Sequence, residues 1–515
     1  MRIKKNWRRL TAFIVAATLL PVIATADFLT SEAPFITLDP GVPAGSSVLA
    51  IISSGESTNG FTFQGLPDGI GLAPSDLNGD SDGNTVDVFV VHEETTVPFF
   101  GSSDMQDASV SRVTLNTTTG AVTTASVVLP ASEGFLRFCS ASMAGPAEGL
   151  SRYTFFTGEE TNDIVDVAAG ATTYGSDPSI APQRQGGYAV IMDAASGAFR
   201  PVPGMGRLNH ENTIVVPGGW ANKIAMVTTD DTFNAPSSQL YMYLANSESA
   251  LWNDQGSLWA FKVTRTDDGS VDADDPFNGA NDYLDIQPGD DWQGKFIRVP
   301  KEIARGETGD APQDALEQWS NDNNVFQFIR LEDLAVDKRD SNDWGRVVYV
   351  ADTGRSRIVP DPATGRLMRG PGGTVGSADN GRIFRFVFNA KNPRKVDSFS
   401  VLADGDAPGS PEFVAMTSPD NMGTSANSLM VQEDTGDARI WQYDFATGTW
   451  SVVATVNDPR GESSGIVDAS DWFGPGSWIL DVQAHGTNVL EEVDAGGILR
   501  KLESGQLLMM TIPGS

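Results

Sequence analysis

Cysteine is nearly absent: Cys139 is the single one in 515 residues, and histidine occurs only three times. One cysteine excludes an internal disulfide, the usual staple of an exported domain, so bound metal is the alternative staple. A lone thiol in an oxidising compartment also needs burial or a metal partner. Long apolar runs are missing too. The one apolar stretch, residues 10–23, is interrupted by Thr11, Thr18 and Pro21 and is short for a span, so membrane insertion is not expected. It follows Arg2, Lys4, Lys5, Arg8 and Arg9 and ends at Ala24-Thr25-Ala26, which reads as a signal peptide over residues 1–26 cleaved before Asp27. The expected location is therefore periplasmic or extracellular. Arg8-Arg9 with Leu10 and Phe13 fits the twin-arginine route for folded proteins, and equally an ordinary signal. Basic residues are few, 35 against 67 acidic ones, for a net charge of −32. Such a surface repels nucleic acid and draws divalent cations, while also serving solubility.

Helical periodicity is scarce, with residues 313–319 as a short exception. What is present is strand after strand. Residues 86–91, 153–157, 188–193, 240–244, 258–263, 347–351, 383–388, 429–433, 439–444 and 478–482 are short, rich in β-branched and aromatic residues, and bounded by Gly, Asp, Asn or Pro. Several end in similar polar tips: His92-Glu93-Glu94, Gly158-Glu159-Glu160, Glu332-Asp333 with Asp337, Gln432-Glu433-Asp434 and Gln483-Ala484-His485. A tip recurring from sheet to sheet is the signature of radial repetition, and inner strands of such sheets line one channel. The expected fold is all-β, a β-propeller of about six blades over residues 27–515, with no second domain. Residues 264–292 carry nine aspartates and read as an acidic surface insertion. A monomer is expected.

The polar tips supply the candidate chemistry. Asp76, Asn78, Asp80 and Asp82 stand at alternate positions with Gly83 following, the spacing of a separate calcium loop, or of a plain turn between strands. His92, His210 and His485 each lie beside carboxylates or amides, so each is a candidate for metal, for substrate, or for a hydrogen-bonding scaffold. Glu159, Glu211, Glu332 and Glu433 should point inward. Four ionised carboxylates cannot share a small space without a counter-charge. Either a metal cluster provides it, or they are spread out and paired with Arg137, Arg207, Arg330 and Arg382. In Arg330-Leu331-Glu332-Asp333 an arginine could clamp an oxyanion bidentately while Glu332 holds metal; a strand-edge ion pair is the alternative.

These segments, taken in order, resemble the PhoX-type alkaline phosphatase family. They are Leu66-Pro67-Asp68-Gly69-Ile70-Gly71, Val91-His92-Glu93-Glu94, Arg137-Phe138-Cys139-Ser140, Gly158-Glu159-Glu160, Asn209-His210-Glu211, Thr229-Asp230-Asp231, Arg330-Leu331-Glu332-Asp333, Ser418-Pro419-Asp420-Asn421, Gln432-Glu433-Asp434 and Val482-Gln483-Ala484-His485. The resemblance implies a six-bladed propeller, an iron and calcium cluster in its channel, and hydrolysis of small phosphate monoesters. It implies metal ligation by Cys139, by Glu159 or Glu160, by Glu211 and by Glu332, with Arg330 meeting the phosphate. Glu433 joins the expected metal ligands, and Glu93, Asp420, Asn421 and Asp434 join the histidines as further metal or substrate candidates. The sequence departs from the family at Met143-Ala144-Gly145-Pro146, at Leu331 in place of a proline, and at Ala484-His485 in place of a His-Pro ending. Two rival readings follow from the same residues: a calcium-stabilised binding platform, and a hydrolase of another ester or lactone.

Overall fold

The computed structural model of the chain describes residues 27–77, 83–93, 108–161, 164–166, 183–232, 236, 238–309, 311–339, 345–376, 378–436, 438–493 and 499–515. The expected signal segment, and Asn78, Asp80 and Asp82 of the expected calcium loop, lie outside the described residues.

All ten expected strands are present, and the expected helix is Pro312–Asp322. Their apolar residues are buried on both faces, because the sheets stack face to face. Most are the second or third strand of a four-stranded antiparallel blade. Blade one runs Pro67–Pro74, Thr85–His92, Ser109–Asn116, Val122–Leu129, and blade two Phe138–Ala144, Thr154–Glu159, Ala189–Asp193, Phe199–Pro201. Blade three begins at His210–Val216, blade four at Leu331–Val336, blade five at Pro419–Thr424 and blade six at Glu462–Asp468. Each inner strand touches the next, and the sixth touches the first, so the ring closes. The fold is a six-bladed propeller.

Sequence reading misses these inner strands, for a physical reason. They start on polar residues and carry small ones, as in Pro-Asp-Gly-Ile-Gly of blade one and Phe-Cys-Ser-Ala-Ser of blade two. Six strands crowd the axis, where bulk does not fit. A Cβ added at Gly69 would stand 1.9 Å from the backbone nitrogen of Ala141 in blade two.

Both ends of the chain build the last blades. Ser47–Ser53 pairs with Leu499–Thr511 as the outer strand of blade six, and Ile36–Leu38 adds to the edge of blade five. Blades three and four are joined by Trp292–Arg298, which pairs with the outer strands of both. Phe261, Phe386 and Phe399 pack behind this seam with ring centroids 4.6–5.2 Å apart. The acidic stretch 264–292 is only partly a surface insertion. Ala280, Tyr283 and Ile286 are buried in the core, and Arg382 donates to the carbonyls of Tyr283 and Ile286.

Candidate metal centre and active site

The inner strands enter the channel from one end, and each brings a potential ligand at its start. The second residue is Asp68, Cys139, Glu211, Glu332 or Asp420 in blades one to five; in blade six the first residue is Glu462. Just beyond these residues the ladder shifts register: between Pro67 and Ile70, His210 and Thr213, Leu331 and Leu334, Pro419 and Met422, and Ser464 and Ile466. In blade two the shift falls on the partner strand, between Thr157 and Glu159. A bulge re-aims a side chain that regular pleating would bury in the blade.

A second set arrives from the ends of the neighbouring strands. The backbone N–H of Glu93 donates to Leu66 O at 2.9 Å, and that of Glu160 to Arg137 O at 3.0 Å. The same strap recurs from Asp231 to Asn209, from Thr353 to Arg330 and from Asp434 to Ser418, at 2.9–3.0 Å. It places Glu93, Glu160, Asp231 and Asp434 beside the inner-strand residues.

Together they form a chain of overlapping groups: Asp68, Glu93 and Cys139; Cys139, Glu160 and Glu211; Glu211, Glu332 and Asp420; Asp420, Asp434 and Glu462. In each group the potential ligand atoms lie within 4.8 Å of one another. Burial, and then Glu160, Glu332, Asp420 and Asp68, push the Glu211 carboxyl well above its ordinary value. Neither oxygen of Glu211 has a hydrogen-bond donor, and Asp68 Oδ1 has none. The Cys139 thiol, 3.5 Å from Asp68 Oδ2, is pushed up by burial and then by Asp68, Glu211, Glu160 and Glu93. Cations are sparse here. Arg330 grips Asp231 through Nε (2.8 Å) and a second nitrogen, and stands 3.6 Å from Glu332. Arg137 is 3.6 Å from Glu93.

Several expected site residues turn out to do other work. Glu159 lies outside the groups: it accepts the backbone N–H of Leu136, Gly187 and Tyr188 at 3.0 Å each. Glu433 likewise accepts from Thr417 N, Arg439 N and the Trp441 indole. In each acidic pair the first member braces the loop and the second enters the channel. His92 is saturated by Gly65 O and Ser111 Oγ, and His210 by Gly206 O and Thr228 Oγ1; burial lowers both to about 4. Both are scaffold histidines. Asn421 is buried next to Asp420. His485 lies at the rim between Glu462 and Glu503; burial opposes its charge, but those two partners raise it to about 11. Of the expected calcium loop only Asp76 is described, and it joins no ligand group. The sequence reading did not single out Asp68, Asp231 or Glu462 as site residues. The first two sit in segments that carried the resemblance; Glu462 follows Gly461 with no local signal at all.

A family model for the alkaline phosphatase PhoX matches residues 145–467. The chain belongs to the PhoX family. As a PhoX member it is a phosphatase acting on phosphoric monoesters, in a family that depends on metal. The matched segment contains Glu160, Glu211, Arg330, Glu332, Asp420, Asp434 and Glu462, while Asp68, Glu93 and Cys139 precede it. Comparison with curated protein sequences found no match. Similar solved structures include the soluble aldose sugar dehydrogenase from Escherichia coli, 10% identical over 91% of this chain and 99% of that one, with a TM-score of 0.35. Kuenenia stuttgartiensis hydrazine synthase is 10% identical over 82% of this chain and 95% of that one, with a TM-score of 0.34. The NanB sialidase from Streptococcus pneumoniae is 8% identical over 91% of this chain and 71% of that one, with a TM-score of 0.38. Likeness at this level carries no argument about activity.

Proposed function

We propose that this PhoX phosphatase hydrolyses small phosphate monoesters at a cluster of iron and calcium ions held by the four overlapping groups at the channel mouth, with Arg330 as the phosphate clamp. The supporting observation is Glu211. It is shared by two groups, is buried, and offers two carboxylate oxygens with no donor. In its ionised form such a side chain needs positive charge beside it, and Arg330 and Arg137 are already engaged with Asp231 and Glu93. The donor set fits the implied ions. Sulfur from Cys139 next to Glu160 and Glu211 suits iron, and the all-oxygen groups around Glu332, Asp420 and Asp434 suit calcium.

When bound, the ions supply Lewis-acid polarisation of the phosphoryl oxygens and neutralise charge that develops on them. The chain does the rest. Asp231 fixes the Arg330 guanidinium in a bidentate pair, so little rotamer freedom remains to be lost when Arg330 meets phosphate. Burial, and then its acidic neighbours, favour the protonated Cys139 thiol in the ion-free protein, and as a thiolate Cys139 would be a metal ligand. Gln483 donates to Asp68 at 2.8 Å and to Glu93 at 3.2 Å, holding two ligands in place. The leader-like residues 1–26 support export as part of this reading. Among the described residues no helix is long and apolar enough to cross a membrane.

Metal analysis of purified protein should find iron with calcium. Cys139→Ala should lose iron and at least 100-fold in phosphatase kcat/KM, an order-of-magnitude figure for losing one stabilising site. Unchanged metal content and rate in that variant would end the reading.

A further inference from the structure

In a chain with nearly twice as many acids as bases, three arginines gather in the segment that follows Asp352, close to Arg330. The loop after the second strand of blade four carries Arg355 and Arg357, and Arg369 lies on the returning strand of the hairpin that follows, paired with Ile358 next to Arg357. The backbone ties this loop to Arg330, just before the inner strand of blade four. Asp352 accepts from the backbone N–H of Ile329, Arg330 and Gly354 at 2.9–3.2 Å, and Thr353 N donates to Arg330 O at 2.9 Å. A short hairpin, Ile358–Pro360 with Leu367–Arg369, pairs Ile358 with Arg369, and Gly370 N donates to Arg357 O at 2.8 Å. Arg357 is held at φ 68°, a conformation that residues with side chains rarely adopt.

Among the described residues, none of Arg355, Arg357 and Arg369 has a carboxylate within ion-pair distance. The acid that reaches Arg355 is Asp231, already bound to Arg330. Burial, and then Arg330, Arg369 and Arg357, hold Arg355 below the usual guanidinium value. Gathered guanidinium groups repel one another unless an anion joins them, and their planar donors match phosphate.

We propose that Arg355, Arg357 and Arg369 form a second anion subsite beside Arg330, which selects phosphomonoesters whose leaving group carries a further phosphate. This rests on the reading of Arg330 as the clamp for the scissile phosphate. The first phosphate would meet Arg330, and the second, unreacted one would neutralise the arginine loop. Binding of the remote group positions the reacting one, so the gain appears in kcat/KM.

The test compares fructose 1,6-bisphosphate with fructose 6-phosphate, a pair differing by one phosphate, on metal-loaded protein. The wild type should prefer the bisphosphate at least 10-fold in kcat/KM. Arg355→Ala and Arg369→Ala should reduce that ratio toward one, and Arg355→Lys should keep part of it. Equal use of both sugars by the wild type, or an equal fall for both in the variants, overturns the subsite. If the wild type hydrolyses neither sugar nor para-nitrophenyl phosphate, the phosphatase reading itself has failed. Calorimetric binding of the same two sugars then decides the subsite separately: tighter binding of the bisphosphate that Arg355→Ala abolishes supports it, and equal binding overturns it.

Discussion

Glu159 and Glu160 are adjacent and chemically identical, yet the fold gives them opposite tasks. Glu159 satisfies three backbone N–H groups in the segments that lead into the first and third strands of blade two, and Glu160 belongs to a ligand group with Cys139 and Glu211. Glu159→Gln keeps the shape but turns one acceptor into a donor facing buried N–H groups. It should cost about 1–3 kcal/mol of stability, read by denaturant unfolding, while bound metal per folded molecule stays the same. Glu160→Gln should do the reverse, with metal lost and unfolding little changed when no ions are present. Equal metal loss in both variants would contradict the assignment. No sequence pattern distinguishes the pair. What separates them is one strap bond, Glu160 N to Arg137 O, made across residues far apart in the chain. The same holds for Glu433 and Asp434. Cys139, Glu211, Glu332 and Asp420 were legible because they sit in the segments that carried the family resemblance, not because a strand was expected there.

At the scale of the element, the outer parts of the blades were easy to read and the inner strands were not. Strands buried between two blades need β-branched and aromatic residues, and this composition is visible. Inner strands need small residues and a bulge, and Pro-Asp-Gly or Pro-Asp-Asn looks like a turn. Gly69 shows the constraint. Its missing Cβ lets blade one approach blade two directly after Asp68. Gly69→Ala must push the two strands apart. A loss of about 2 kcal/mol or more in stability is expected, as for other overpacked cores, together with weaker metal retention because Asp68 and Cys139 separate. Thermal unfolding and metal titration of the variant check both parts. A variant with wild-type metal affinity would show that the Asp68–Cys139 spacing is not set by this contact.

Across the whole molecule the issue is charge. Burial raises Asp333 and Asp352 to about 7; Asp333 accepts from Asn212 of blade three, Met422 of blade five and its neighbour Leu334, and Asp352 accepts from backbone N–H groups of blade four. Unfolded aspartate titrates near ~3.9, so between about pH 4 and 7 the folded state holds protons that the unfolded state has released. Stability of ion-free protein therefore falls as pH rises through that window. The repelling carboxylates of the channel act in the same direction. Chelator-treated protein should melt at a lower temperature at pH 8 than at pH 5, by the equivalent of a few kcal/mol. Calcium should restore it most at the higher pH, because ions bind the deprotonated ligands of the native state. A chelated sample equally stable at both values would count against buried, unneutralised acids.

The shared construction of blade six bears on how the protein comes into being. Asp68 lies near the start of the chain and Glu462 near its end, on inner strands that meet where the ring closes, and Ser47–Ser53 pairs with Leu499–Thr511 in the same blade six. A nascent chain that has not yet released its last strand therefore owns scattered ligands but no complete nest for ions. Closure of the ring is thereby what completes the proposed metal site, and a product truncated before Leu499–Thr511 lacks the strand to which Ser47–Ser53 pairs.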